Sequence, residues 1–222
     1  MITRFIGDVH GQPEKYLEAL KGSDYSVQVG DMGFSDTYKK IAAVDFRSHR
    51  FLEGNHDDYD HRSSLALGDW GVYNIPGFSE IFYVRGAWSI DVKPRKRMEE
   101  MGGPKSWFPQ EELTYDVLQA AINKYIRLKP DVVVTHTCPQ SVALEVGDPE
   151  FCIQMGYPAH PQTRTSIALQ VMFEAHQPQY WIFGHFHKSW REVRNSTQFI
   201  CLKELEVFDF QKRILPAKVK RV

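Results

Sequence analysis

Cysteine is scarce in this chain: Cys138, Cys152 and Cys201 are the only three in 222 residues, an odd number with no framework spacing. A disulfide-stapled fold of the secreted kind is therefore not expected, and a reducing cytoplasm suits the thiols. Long apolar runs are missing as well. The stretch from Met1 to Ile6 is no basic start followed by an apolar core, so neither a signal peptide nor a membrane span is expected. Nor is there an excess of either charge. With 27 Lys and Arg against 28 Asp and Glu, the chain lacks the basic field that binding to a long nucleic acid or an anionic membrane calls for. No internal repeat, low-complexity tract or linker interrupts it. The 42% hydrophobic and 25% charged residues make an ordinary globular composition with chain enough for one substantial core. A single domain over residues 1–222 is expected.

Histidine, aspartate and asparagine stand in groups. Gly7-Asp8-Val9-His10-Gly11, Gly30-Asp31, Gly54-Asn55-His56-Asp57, His136 and Gly184-His185-Phe186-His187 each follow an apolar run, so each is expected where a strand ends. Oxygen and imidazole ligands gathered from several strand ends are what two hard-to-borderline divalent ions held close together require. Asp31 is the candidate bridge, because it is the lone acid of its group and a carboxylate has two oxygens to share.

In chain order, strands are expected over 2–6, 25–29, 50–52, 71–75, 81–84, 87–90, 131–135 and 180–183. An antiparallel run over 189–193, 198–202 and 205–210 closes the chain. Helices are expected over 13–20, 36–46, 57–65, 111–128 and 163–176, the first opened by Pro13. Turns fall at Pro76-Gly77 and Arg85-Gly86. Residues 91–109 and 138–162, rich in proline and glycine, read as two long loops, the second a candidate lid. Strands alternating with helices imply a parallel sheet with its ligands at the carboxyl ends of strands. The architecture expected is α/β: a four-layer αββα sandwich, two mixed sheets flanked by helices.

In this order the groups resemble the signature of the calcineurin-like metallophosphoesterase superfamily: Asp-x-His, Gly-Asp, Gly-Asn-His-Asp/Glu, a lone His and Gly-His-x-His, matched from Asp8 to His187. The resemblance implies hydrolysis of phosphate mono- or diesters by a hydroxide bridging two divalent ions. Asp8, His10, Asp31 and His187 would hold one ion; Asp31, Asn55, His136 and His185 would hold the other. His56 would give the leaving oxygen a proton or contact the phosphoryl group, and Asp57 would orient its ring. Ligands without thiolate suit manganese foremost, with iron, zinc, cobalt or nickel as alternatives. The protein serine/threonine phosphatase branch follows its Gly-Asp with Asp-Arg-Gly, whereas Gly30-Asp31 is followed by Met32-Gly33-Phe34, so the arginine that meets phosphate is absent. Arg95 and Arg97 are candidates to replace it. Gly-Asp-x-Gly-Phe, the segment 86–91 and Trp107-Phe108-Pro109 are similar to small stand-alone metallophosphoesterases of bacteria and phages.

Any one of these histidines alone is better read as a core or surface residue, but five in register are not. His160 is expected as an ordinary loop residue and Cys138 as a half-buried structural thiol. Trp88, Trp107, Phe108 and Tyr157 are open to stacking on substrate or to packing. The substrate is expected to be a nucleotide or another small phosphate ester, with no nucleic-acid or membrane partner. The alternatives are a serine/threonine-type protein phosphatase and, from another class, a non-catalytic metal-containing scaffold. A scaffold subunit of retromer looks like this fold but lacks key catalytic histidines, and here those positions are filled.

Overall fold

Period-two alternation in the strands decides how the layers stack. The computed structural model describes residues 1–210 except Gly77 and Ser79. Gly77 of the expected Pro76-Gly77 turn, and residues 211–222 of the expected domain, lie outside the described residues. The first part of the chain folds as β1 (Thr3–Ile6), α1 (Pro13–Leu20), β2 (Tyr25–Gln28), α2 (Ser35–Ile41), β3 (His49–Phe51), β4 (Trp70–Tyr73), β5 (Ile81–Val84) and α3 (Val92–Glu100). The remainder gives α4 (Tyr115–Leu128), β6 (Val132–Thr135), α5 (Gln140–Val146), α6 (Pro149–Gln154), α7 (Arg164–Ala175), β7 (Tyr180–Phe183), β8 (Trp190–Arg194), β9 (Thr197–Cys201) and β10 (Val207–Phe210).

Two sheets result, a four-stranded one ordered β10-β1-β2-β3 and a six-stranded one ordered β4-β5-β6-β7-β9-β8. β1, β2 and β3 run parallel, as do β5, β6, β7 and β9, while β10, β4 and β8 pair antiparallel at the edges. Successive side chains of a strand point to opposite faces. Ile81 and Tyr83 therefore join Phe5, Val27, Val134 and Ile182 between the sheets, while Phe82 and Val84 face outward onto α4 and its neighbours. α4 offers Leu118, Ala121, Ile122 and Tyr125 at the spacing of one helical face. On the far side, Tyr16 of α1 and Tyr38 and Ile41 of α2 cover Ile6 and Phe51. Helices, sheet, sheet, helices is the four-layer order expected. No helix among the described residues is long and apolar enough to cross a membrane.

Several local expectations fail for identifiable reasons. Residues 57–65 form turns instead of a helix, because the Asp58 carboxylate accepts from the backbone N–H groups of Asp60 and His61, each at 3.1 Å, an alternative to helical pairing. Residues 87–90 are not a strand: the Ser89 N–H and hydroxyl both donate to Glu111, at 2.8 and 2.6 Å. The 91–109 loop contains α3, whose Pro94 sits in the first turn where proline is tolerated. In the 138–162 loop, Pro139 and Pro149 stand at the starts of α5 and α6, and the Asp148 side chain caps α6. The last three strands are not one antiparallel run: β9 is parallel to β7, and β10 crosses to the other sheet beside β1.

Candidate metal centre

Every ligand-type group sits just past the end of a strand. Asp8 and His10 follow β1, Asp31 follows β2, Asn55 and His56 follow β3, His136 follows β6, and His185 and His187 follow β7. The chain turns sharply there. His10, Asp31, His185 and His187 adopt left-handed φ values of 47°, 59°, 69° and 53°, a conformation that non-glycine residues rarely take and that clusters at functional sites. The Asp31 carbonyl accepts from the N–H groups of Val9 and His10 at 3.0 and 2.8 Å, locking the first two loops together. Gly184 is required by closeness, since a Cβ there would lie 2.1 Å from Asp8 Oδ1.

Asp8, His10, Asp31 and His187 each present one ligand atom, all within 4.8 Å of one another. His10 Nε2 lies 2.9 Å from His187 Nε2 and 3.7 Å from Asp31 Oδ2, and His187 Nε2 lies 3.4 Å from Asp8 Oδ2. On the other side of Asp31, His136 Nε2 is 3.2 Å from Asp31 Oδ1 and 3.0 Å from Asn55 Oδ1, with the His185 ring centroid 5.1 Å from that of His136. His136 Nδ1 donates to the Val29 carbonyl at 2.9 Å, which turns Nε2 inward toward Asp31 and Asn55. The structure thus brings all seven expected ligands together, with Asp31 in the middle.

A divalent cation fits this set. Asp31 Oδ1 accepts from the His56 N–H at 2.7 Å, whereas Asp31 Oδ2 is buried without a hydrogen-bond partner. A buried carboxylate oxygen without a partner is costly unless an ion claims it. Burial also pushes the Asp8 carboxyl well up, with the charge of Asp31 adding to the effect. Burial acts in the same direction on Asp31, but His136 and His56 outweigh it and hold that carboxyl well below its usual range. Burial and neighbouring His136 keep His185 uncharged, as a ligand must be.

His56 and Arg95 lie side by side. Arg95, 8% exposed, sets Nη2 2.6 Å from His56 Nδ1 and against Nε2 as well, while Nη1 donates to the carbonyls of Asn55 and Ser106 at 2.9 and 3.0 Å. Its Nε donates to Asp91 at 2.8 Å. Arg97 lies on the exposed side of α3. Asp57 is not where it could orient the His56 ring, which is a correction to the sequence reading. Its carboxylate accepts from the N–H groups of Asp31, Gly33 and Gly54 and from the Tyr38 hydroxyl, at 3.0, 2.8, 2.6 and 3.1 Å. It ties the β2 loop to the β3 loop. The acid near the His56 ring is Asp91, 3.9 Å from Nε2. Its i,i+4 spacing to Arg95 was the available signal.

A cavity of about 490 Å³ opens beside the centre and reaches between the segment after β5 and the α5–α6 region. His160 lines it, as does Cys152. Cys138 is buried, and burial pushes its thiol well up, as suits a packing residue. Trp88 meets Tyr157 edge to face at 4.8 Å, and Phe108 packs on Tyr59.

Fold and site together define a two-sheet α/β sandwich with an Asp/His/Asn ligand cluster at its strand ends. The family model described as calcineurin-like phosphoesterase matches residues 2–189, and the chain belongs to that family. Among solved structures it is similar to the phosphopantetheinyl hydrolase PptH of Mycobacterium tuberculosis, at 11% identity and a TM-score of 0.50, covering 91% of this chain and 90% of that one. It is also similar to YfcE, a phosphoesterase from E. coli, at 14% identity and a TM-score of 0.43, covering 98% and 85%. Vps29 of Entamoeba histolytica, solved with zinc, matches at 15% identity and a TM-score of 0.40, covering 92% and 74%. At such identities the likeness concerns the fold. No curated protein matches the chain. Family and ligand cluster together support a metal-dependent phosphoesterase.

Proposed function

We propose that this protein hydrolyses a small phosphate ester at a two-ion centre, one ion held by Asp8, His10, Asp31 and His187 and the other by Asp31, Asn55, His136 and His185. The observation that carries the reading is Asp31: one oxygen faces His136, and the other, buried and without a partner, faces His10. Divalent ions bound there, manganese foremost, would supply Lewis-acid activation of water and of the phosphoryl oxygens. The protein supplies the rest. His56 stands at the rim of the ligand cluster, its ring centroid 5.1 Å from that of His10, and serves the phosphoryl group or the leaving oxygen as a proton donor. Arginine only donates, so Arg95 meets the His56 ring as a donor lying against both of its nitrogens and holds the ring in place. Arg95 is therefore a positioning residue for His56 more than a phosphate clamp, since its donors are already engaged. In the net reaction water oxygen bonds to phosphorus, the ester P–O bond breaks, and the departing alkoxide takes a proton.

The test is hydrolysis of p-nitrophenyl phosphate and bis-p-nitrophenyl phosphate by manganese-loaded protein, with Asp31→Asn and His56→Ala alongside. Activity abolished by the first change and strongly reduced by the second is expected. A metal-loaded protein inert toward both esters under several metals overturns the reading in favour of a binding module.

A further inference from the structure

We infer that the ester this site accepts carries an apolar, uncharged leaving group, seated in the cavity that runs from the ligand cluster to α5 and α6. The inference rests on the phosphoesterase reading and names its substrate class. The cavity is continuous with the centre, because Asp31, Asn55, His56, His185 and His187 form its inner end. Beyond them its walls are largely hydrocarbon. Trp88 and Ile90 of the segment after β5 line it together with Leu144 and Val146 of α5 and Phe151 of α6. Trp88 is itself braced from behind by Tyr157, edge to face at 4.8 Å. Leu144 and Phe151 remain 45% and 46% exposed although they line it, which leaves apolar surface that an apolar group would cover.

Charge in the cavity points the same way. Among the described lining residues there is no arginine, and the one lysine, Lys188, already donates to the carbonyls of Val146 and Gly147 at 2.9 and 3.1 Å. Asp148 adds negative charge, and the carboxylate of Asp91 is already paired with Arg95. A second phosphate, as in a nucleoside di- or triphosphate, would therefore meet a carboxylate without a free cation to receive it. One phosphoryl group at the ligand cluster and one hydrocarbon body in the pocket satisfy both ends. The volume, about 490 Å³, lies within the range of pockets that enclose compact organic ligands.

The experiment uses ethyl, butyl and hexyl phosphate, whose leaving groups differ little in acidity, with manganese-loaded protein. Ethyl- and hexylphosphonate, which are not hydrolysed, are titrated by calorimetry in parallel. kcat/KM is expected to rise about two- to four-fold per methylene, the factor that burial of one CH2 gives, mostly through KM. Hexylphosphonate should bind tighter than ethylphosphonate by a matching factor. Leu144→Ser and Phe151→Ser should shrink the factor per methylene, and Ile126→Ser, on the exposed side of α4, should keep it. A flat or falling series in an active enzyme, or ATP hydrolysed with higher kcat/KM than hexyl phosphate, overturns the inference and leaves the phosphoesterase reading standing. If no ester turns over, that reading fails. The phosphonates then decide the inference: tighter binding with chain length supports an apolar pocket, and equal binding overturns it.

Discussion

Arg95 places Nη2 2.6 Å from His56 Nδ1 and, with the same guanidinium, holds Asn55 O, Ser106 O and Asp91. A buried cation thereby fixes both an imidazole and the backbone of an expected ligand. Arg95→Ala should lower kcat about 10- to 100-fold, the size expected when a reacting group is displaced by about an ångström, with KM changed much less. Arg95→Lys carries the charge without the fork and should recover stability but only a minor part of kcat. A variant whose kcat is untouched while KM rises would instead make Arg95 a substrate contact.

Asp31→Asn tests the bridge directly. The amide keeps the size and the Oδ1 acceptor for the His56 N–H at 2.7 Å, but turns an NH2 toward His10 where the unpartnered oxygen stood. Metal content measured by atomic emission should fall from two ions per chain to one or none. Activity should drop by more than the roughly 100-fold seen when only a partner behind a ligand is lost. Two tightly held ions in Asp31→Asn would remove Asp31 from the bridging role.

The ligand cluster was legible because its residues sit beside strand ends, and a strand end is marked by an apolar run stopping at glycine. Asp8, Asp31 and Asn55 could be placed that way without knowing which strands are neighbours. Asp57 could not. Adjacency to His56 suggested that it orients that ring, yet its oxygens turn to the N–H groups of Asp31 and Gly54, a choice decided by loop packing. The helices around the cavity were hidden by proline. Pro94, Pro139 and Pro149 read as breaks, but each stands at or within the first turn of a helix, where its missing N–H costs nothing. Arg95 was found as a phosphate candidate, and only burial showed that its donors are already engaged.

Gly54 brings the backbone hard against two expected ligands at once. A Cβ there would lie 2.2 Å from Asp31 Oδ1 and 2.5 Å from His136 Nε2, so Gly54→Ala must push the two ligands away from the strand end. Overpacking of this kind costs about 1–3 kcal/mol, which the fold survives. Bound metal should be lost while circular dichroism and most of the thermal stability persist. A Gly54→Ala protein with full metal content would mean that the β3 loop shifts freely.

Glu111 gives a pH dependence away from the metal. Burial pushes its carboxyl up to about 7 from an ordinary value near 4.5, even though hydrogen bonds from Ser89 pull the other way. Below pH 4.5 the group is protonated in both folded and unfolded chains and costs nothing. As the pH rises toward 7 the unfolded chain releases its proton first, so stability is progressively lost, by about 2–3 kcal/mol once the pH exceeds 7. Glu111→Gln removes the titration while keeping an acceptor for the Ser89 N–H. Its melting temperature should match that of the wild type near pH 4.5 and exceed it by roughly 4–8 °C at pH 8, with the gap opening between those values. Parallel melting curves across that range, or a less stable variant at pH 8, would show that Glu111 is ionised and supported in the native fold.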